Sequence, residues 1–333
     1  MRIGVIGAGD FGELHLKILK EHPDAEIAYI CVRNLERGKA KAEKYGGVLT
    51  NRYEDMLEDD TVEAVSVLTP EQVHFEQVMK ALEHGKHVLV EKPVTMNPEE
   101  AEILAAKAEE KGLIVMPGHT CRFLAGFAKA RGYLKELQRE PVSIHARRNI
   151  PRERLALHNR VHPVLMALSH DIDLVLSYVG AKPARVVAME RKTDPSLKNP
   201  DIFWGLVEFE NGCIAALETL WVLPTSARYV DSAMEIATAQ EVLHVSYPSS
   251  GFWVDDAAGF LFPDPALTDV VNGEQAGALK DEIHYFLKCV RTHQTPEVVT
   301  LSDAANGLRI AQALIRSAGE KREIRFEDGR PLL

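Results

Sequence analysis

A doubly wound parallel α/β sheet over residues 1–120, followed by an α+β part with an open, mostly antiparallel sheet over residues 121–333, is the fold that the sequence predicts. Three observations predict it. Up to about residue 118, short β-branched runs alternate with helical patterns, the signature of parallel strands covered by helices on both faces. After about residue 120 several strand-like runs follow one another without helices between them. A glycine-rich turn joins the first strand to the first helix. At 333 residues the chain is long enough for two domains, each with its own core.

Taken in order, the first part offers strands at 2–6, 26–32, 62–68, 87–90 and 113–116. Helical patterns run roughly over 11–21, 35–45, 71–84 and 98–111. The last of these has a legible start and stop. Asn97 is suited to the N-cap, Pro98 to the first helical position and Glu100 to a capping box, and Gly112 follows the end. Beyond 120, a helix near 122–137 leads to a strand at 142–149 and a loop rich in Arg and His. A helix follows, starting near His162 with Pro163 at its first position and ending at Gly180. Strands are expected at 184–191, 202–209, 213–221, 232–237 and 241–246, with a hairpin turn at 211–212, and helices at 276–292 and 302–318 close the chain. An open sheet face needs covering, so self-association through the C-terminal sheet is expected.

Composition narrows the functional classes. Apolar residues make up 46% and charged residues 26%, ordinary for a globular protein. No run approaches the roughly 18–20 apolar residues needed to cross a bilayer. The N-terminus has one Arg and passes straight into a strand-like run, unlike a signal peptide. The four cysteines lie far apart with no CxxC pair, which argues against a disulfide framework and a Cys-based zinc site and fits a cytoplasmic protein. A formal charge of −10 disfavours nucleic acid and anionic membrane as partners. His158 and His162 are spaced i, i+4, but the expected helix starts after His158 and no third ligand stands nearby, so no metal is expected.

Gly7-Ala8-Gly9-Asp10-Phe11-Gly12 reads G-x-G-x-x-G between a strand and an amphipathic helix, the context that gives this weak pattern its meaning. Gly7 permits the tight turn, Gly9 lets the backbone approach a pyrophosphate and Gly12 lets the helix lie close to the sheet, as in a Rossmann domain. Helix N-terminal amides, those about Asp10 and Phe11, then face the phosphates. At the end of the second strand, Cys31-Val32-Arg33-Asn34 carries no acid to receive the adenosine ribose hydroxyls. Arg33 can instead pair with a 2′-phosphate, which favours NADP over NAD. The other reading is that Arg33 points to solvent and either cofactor binds.

Two further segments stand at carboxyl ends of strands, where open α/β sheets bind ligands: Thr69-Pro70-Glu71-Gln72-Val73-His74 and Glu91-Lys92-Pro93. With the glycine turn and His170-Asp171-Ile172-Asp173-Leu174, they make the chain resemble the Gfo/Idh/MocA oxidoreductases over nearly its whole length. The resemblance implies an NAD(P)-dependent enzyme acting on CH–OH or C=O carbons of a sugar, polyol or sugar acid, and a homodimer or homotetramer through the C-terminal sheet. It implies Lys92 beside the nicotinamide and the reacting oxygen, with His170 as acid/base or substrate contact, and Asp173 one turn on is placed to orient the ring. An ammonium suits the first role because it polarises a carbonyl and exchanges a proton when desolvation lowers its pKa. Thr69, Pro70, His74 and Glu91 become cofactor-side candidates, Glu91 positioning the cofactor or Lys92. The sequence departs from the family where many members carry an aspartate one turn before the histidine, since Met166 stands there. His162 would then supply a polar group, or Met166 would line an apolar part of the substrate pocket.

Arg147-Arg148-Asn149 with Arg160 and His162 concentrates donors that could recognise an anionic substrate, against the plainer reading of a solvated strand. On a strand Arg147 and Asn149 share one face while Arg148 points the other way. Arg122 is a further substrate- or interface-facing candidate. Two other activities compete: a cofactor-binding sensor without catalysis, and a lyase or glycosidase that oxidises transiently and returns the hydride.

Overall fold

The structure, a computed structural model, describes residues 1–158, 160–227, 229–248, 254–256, 259–261 and 266–332. In chain order it begins with β1 (Arg2–Ile6), α1 (Asp10–Glu21), β2 (Glu26–Cys31), α2 (Leu35–Tyr45), β3 (Val48–Thr50), α3 (Glu54–Leu57), β4 (Ala64–Val67), α4 (His74–Glu83), β5 (His87–Glu91), α5 (Pro98–Lys111) and β6 (Val115–Gly118). There follow α6 (Ala125–Glu136), β7 (Ser143–Asn149), α7 (Glu153–His158), a π-helical turn (Val164–Leu168) and α8 (Ser169–Val179). Then come β8 (Pro183–Arg191), β9 (Ile202–Phe209), β10 (Ile214–Leu220), β11 (Asp231–Ala237) and β12 (Val242–Tyr247). Two small hairpins, β13 (Val254–Asp256) with β14 (Gly259–Leu261) and β15 (Asp269–Val271) with β16 (Glu274–Ala276), lead to α9 (Ala278–Thr292), α10 (Leu301–Glu320), β17 (Ile324–Glu327) and β18 (Arg330–Pro331).

The chain divides into two compact units, Met1–Phe123 with Leu267–Ala305, and Leu124–Ala266 with Asn306–Leu333. The single cut expected at 120 therefore needs amending, because α9 returns to the first unit. Its stripe of Leu279, Ile283, Phe286 and Val290, repeating every three to four residues, joins α1's Leu16 and Leu19 against β1 and β2. The periodicity announced a helix with one buried face; which sheet would receive that face was not written in it.

In the first unit six parallel strands lie in the order β3-β2-β1-β4-β5-β6. Strand order reverses between β1 and β4, and open α/β sheets bind ligands outside the carboxyl ends at such a point. Val5, Val65, Val67, Val88 and Val90 are buried, since the strands are covered on both faces. The helix start at Asn97 holds: its side chain accepts from the Glu99 amide, and Gly112 ends α5 with φ +64°. The short edge strand β3 and the one-turn α3 fell outside the expected elements.

The second unit carries an eight-stranded sheet in the order β12-β11-β7-β10-β9-β8-β17-β18. All its neighbours are antiparallel except β7 and β10, so it is mixed but mostly antiparallel. Gly212, φ +84°, makes the turn between β9 and β10. One face is covered: Ser317 of α10 accepts from the Ala188 amide at 3.0 Å, and a Cβ on Gly205 would lie 2.7 Å from Leu314. On the other face Val187, Met189, Trp204, Leu206 and Ile214 are exposed. Among the described residues, no helix is long and apolar enough to cross a membrane.

Candidate active site

The glycine turn follows from close approaches that only glycine allows. Gly7 has φ +97°, and a Cβ there would lie 2.8 Å from the Leu68 carbonyl group. A Cβ on Gly12 would lie 2.1 Å from the Gly7 oxygen, so the helix packs down on the turn. Gly9, the N-cap of α1, is the opposite case: a Cβ would meet nothing within 4 Å. That open ground lies before the first amides of α1, which have no partner within the helix and favour an anion. The turn thus fits a dinucleotide's diphosphate, and Gly7, Gly9 and Gly12, with the backbone at exposed Asp10 and Phe11, are the residues that would hold it.

Behind the turn, Lys41 of α2 donates to the carbonyls of Ala8 (2.8 Å) and Gly9 (3.3 Å) and pairs with Glu13 at 3.0 Å. The Tyr45 hydroxyl, then Lys41, hold the Glu13 carboxyl down to about 2. This tie between α1 and α2 escaped the sequence reading, because no motif marks it. At the end of β2, Arg33 is exposed, whereas the Asn34 side chain accepts from the Arg37 amide and so caps α2.

Two loops follow β4 and β5. Thr69 donates to Gln77 at 2.5 Å, and Pro70 is exposed. His74, only 1% exposed, stands between the loops, Nε2 2.7 Å from the Thr69 carbonyl and Nδ1 2.9 Å from that of Pro93. It was expected to touch the cofactor; its ring is instead spent holding backbone. Lys92 is half-buried at the end of β5, before a cis Lys92–Pro93 bond. Its neighbour Glu91 takes the Lys92 amide on Oε2 at 3.2 Å, while Oε1 is buried without a hydrogen-bond partner. Burial pushes the Glu91 carboxyl up to about 7, against the pull of the Lys92 charge.

In the second unit His170 is half-buried in the first turn of α8. The helix expected from His162 to Gly180 is interrupted by the π-helical turn just before it. His162 precedes that turn, its Nδ1 accepting from the Val164 amide and its Nε2 donating to Glu190 at 3.1 Å. Burial lowers its pKa, with Glu190 opposing. Met166 packs against the cluster of Ile150, Leu155, Ala167 and Trp221. Arg148, on the strand face opposite to Arg147 and Asn149 as alternation predicts, grips buried Asp171 with two bonds of 2.8 and 3.0 Å and ties α8 to β7.

Three substrate candidates need correction. Arg147 pairs with Asp231, and Asn149 is bonded to Glu218 and the Leu220 amide. Strand alternation puts both on the face opposite to Arg148, away from α8 and His170. Arg122, buried, donates to the Val298 carbonyl (2.7 Å) and to Asp303 (3.2 Å), a fold-holding arrangement within the first unit. Asp173 is buried one turn beyond His170. The His158 side chain lies outside what is described, and no group of three metal-ligating side chains occurs among the described residues.

A doubly wound sheet with this turn defines a dinucleotide-binding protein. Comparison with known proteins carries the class further. The oxidoreductase family with an NAD-binding Rossmann fold matches residues 1–119, and the GFO/IDH/MocA C-terminal domain matches residues 141–242. The chain therefore belongs to the Gfo/Idh/MocA oxidoreductases and is an NAD-binding enzyme of that family. It is 27% identical to the UDP-N-acetylglucosamine 3-dehydrogenase of Acidithiobacillus ferrooxidans, over 95% of this chain and 96% of that one. It is equally 27% identical to the D-glucoside 3-dehydrogenase of Escherichia coli, over 96% and 95%. In fold it matches apo scyllo-inositol dehydrogenase of Lactobacillus casei, with a TM-score of 0.85 and 19% identity over 98% of both chains.

Proposed function

We propose that the chain moves hydride between a nicotinamide dinucleotide and a hydroxyl- or carbonyl-bearing carbon of a sugar, polyol or sugar acid, with Lys92 and His170 handling the proton. The observation that carries this reading is the placement of Lys92. It stands at the carboxyl end of β5, in the unit that holds the glycine turn, beside a carboxyl group that burial has driven towards neutrality. The bound dinucleotide would supply the hydride chemistry. Lys92 polarises the substrate oxygen and accepts or returns its proton; His170, half-buried on α8, serves as the second proton carrier or as a hydrogen-bonding partner of the hydroxyl. The relatives named dehydrogenases of sugar hydroxyls support the substrate class. Arg33, with no acid at the end of β2, favours NADP over NAD. The exposed apolar face of the second unit's sheet supports a homo-oligomer.

The test is a panel of sugars, polyols, sugar acids and nucleotide sugars, with reduction of NAD and NADP followed by absorbance. Lys92→Ala is expected to lower turnover by about 10² to 10⁴. Near-normal turnover in that variant removes Lys92 from the chemistry. Substrate consumed without matching cofactor reduction would point to the redox-neutral lyase or glycosidase instead.

A further inference from the structure

We infer that His74 is the positioning residue for Lys92, holding the Lys92–Pro93 segment through the Pro93 carbonyl while anchoring itself on the Thr69 carbonyl. The inference rests on the assignment of proton handling to Lys92.

The geometry is that of a strut. The ring is 1% exposed and lies between two carbonyl oxygens, 2.7 Å from one and 2.9 Å from the other. Those oxygens belong to the loops after β4 and β5, which leave the carboxyl ends of adjacent parallel strands. The β4 loop is itself fastened to α4, since Thr69 donates to Gln77 one turn beyond His74. His74 therefore transmits the position of α4's first turn to the peptide unit next to Lys92. Carbonyls only accept, so each contact needs an N–H from the ring, and a neutral imidazole has one such donor. Both bonds form together only in the imidazolium. Burial opposes that cation and holds the ring's pKa below its usual value, while the backbone carbonyls of Thr69, Pro93 and Glu91 and the charge of Glu71 pull the other way. The strut is complete on the acid side and keeps a single bond when the ring is neutral.

Two substitutions separate the two bonds. Asn places its amide nitrogen near the Nδ1 position and keeps a donor towards Pro93. Gln places it near Nε2 and keeps a donor towards Thr69. With His74→Asn, kcat is expected within about threefold of wild type. With His74→Gln it should fall at least tenfold, and the dinucleotide Kd of either variant, read by fluorescence titration, should stay within threefold. Independently of activity, hydrogen exchange in the nucleotide-free protein should speed up across residues 91–97 in His74→Gln and not in His74→Asn. In wild type, one component of the kcat profile should fall as pH rises through the His74 titration, on the acid side of about 6.5, and that component should be absent from His74→Asn. Equal kcat in the two variants, or Gln outperforming Asn, overturns the inference. So does a rise in Kd that matches the loss of kcat, which would mark general loosening. If Lys92→Ala keeps near-normal turnover, the assignment of Lys92 falls and the strut's catalytic meaning with it. If that variant is inactive while Asn and Gln behave alike, only the role of His74 falls.

Discussion

His15 lies on α1 with no exposed surface and no hydrogen-bond partner for either ring nitrogen. Burial alone pushes its pKa down to about 3. A histidine depressed in the folded state is neutral there and charges on unfolding. Its contribution to stability is present above the unfolded value near 6.5 and is lost as pH falls from there towards 3. Each pH unit in that window costs about 1.4 kcal/mol per group. Urea unfolding at pH 7.5 and pH 5 should therefore differ by about 2 kcal/mol more in wild type than in His15→Leu. An unchanged difference would mean that the folded protein already accommodates the charge. At this scale the sequence was legible where chemistry depends on local backbone. The three glycines and Lys92 stand where their motifs put them. Arg147 and Asn149 were misjudged because alternation tells which side chains share a face, and not which face a helix covers. Arg148–Asp171 belongs to the same lesson: the Arg run and the His-Asp pair were visible, their partnership across the fold was not.

At the scale of elements, the proposed preference for NADP belongs to the joint between β2 and α2. Asn34 accepts from the Arg37 amide and is thereby fixed as a helix cap, which leaves Arg33 exposed at the strand's end. No carboxylate stands at positions 31–34 to receive ribose hydroxyls or to repel a 2′-phosphate. NADP should accordingly show the lower KM. Arg33→Ala should raise that KM by about tenfold, the worth of one charge-assisted hydrogen bond, and leave the value for NAD within twofold. Steady-state kinetics with both dinucleotides decides it, and an equal effect on the two would remove the 2′-phosphate role. Elements with strong caps were legible in the sequence, α5 most fully. The π-helical turn before α8 was not. Residues 164–168 have ordinary helical periodicity, and the wider turn shows only in the backbone. The position one turn ahead of His170 therefore shifts away from a simple count of four, and Met166 packs with Trp221 in an apolar cluster rather than standing in for a carboxylate.

For the whole molecule, the order of strands and helices carried the fold class, while the path of α9 back to the first unit depended on surfaces far apart in sequence. The open sheet face leads to the remaining prediction. On β8 and β9, Met189 stands opposite Trp204 and Val187 opposite Leu206, while Ile214 of β10, on the same face, stands opposite Glu208 and diagonal to Leu206. All five are exposed, and alternate residues along β8 and β9 are buried, so the four on β8 and β9 form one apolar stripe. Stripes of this kind on a sheet face mark association, because water gains nothing from covering them. A second copy of the chain would bring the same stripe and bury both across a two-fold axis. Light scattering during gel filtration should therefore give a mass of at least twice 37.0 kDa for the wild type. Trp204→Glu with Met189→Glu should move it to the single-chain mass, since buried carboxylates facing each other across such an interface would be desolvated and repelled. The folded monomer should keep its far-ultraviolet circular dichroism, because neither side chain enters the core. A wild type that runs as one chain at micromolar concentration would sink the prediction, and so would a double variant that remains assembled.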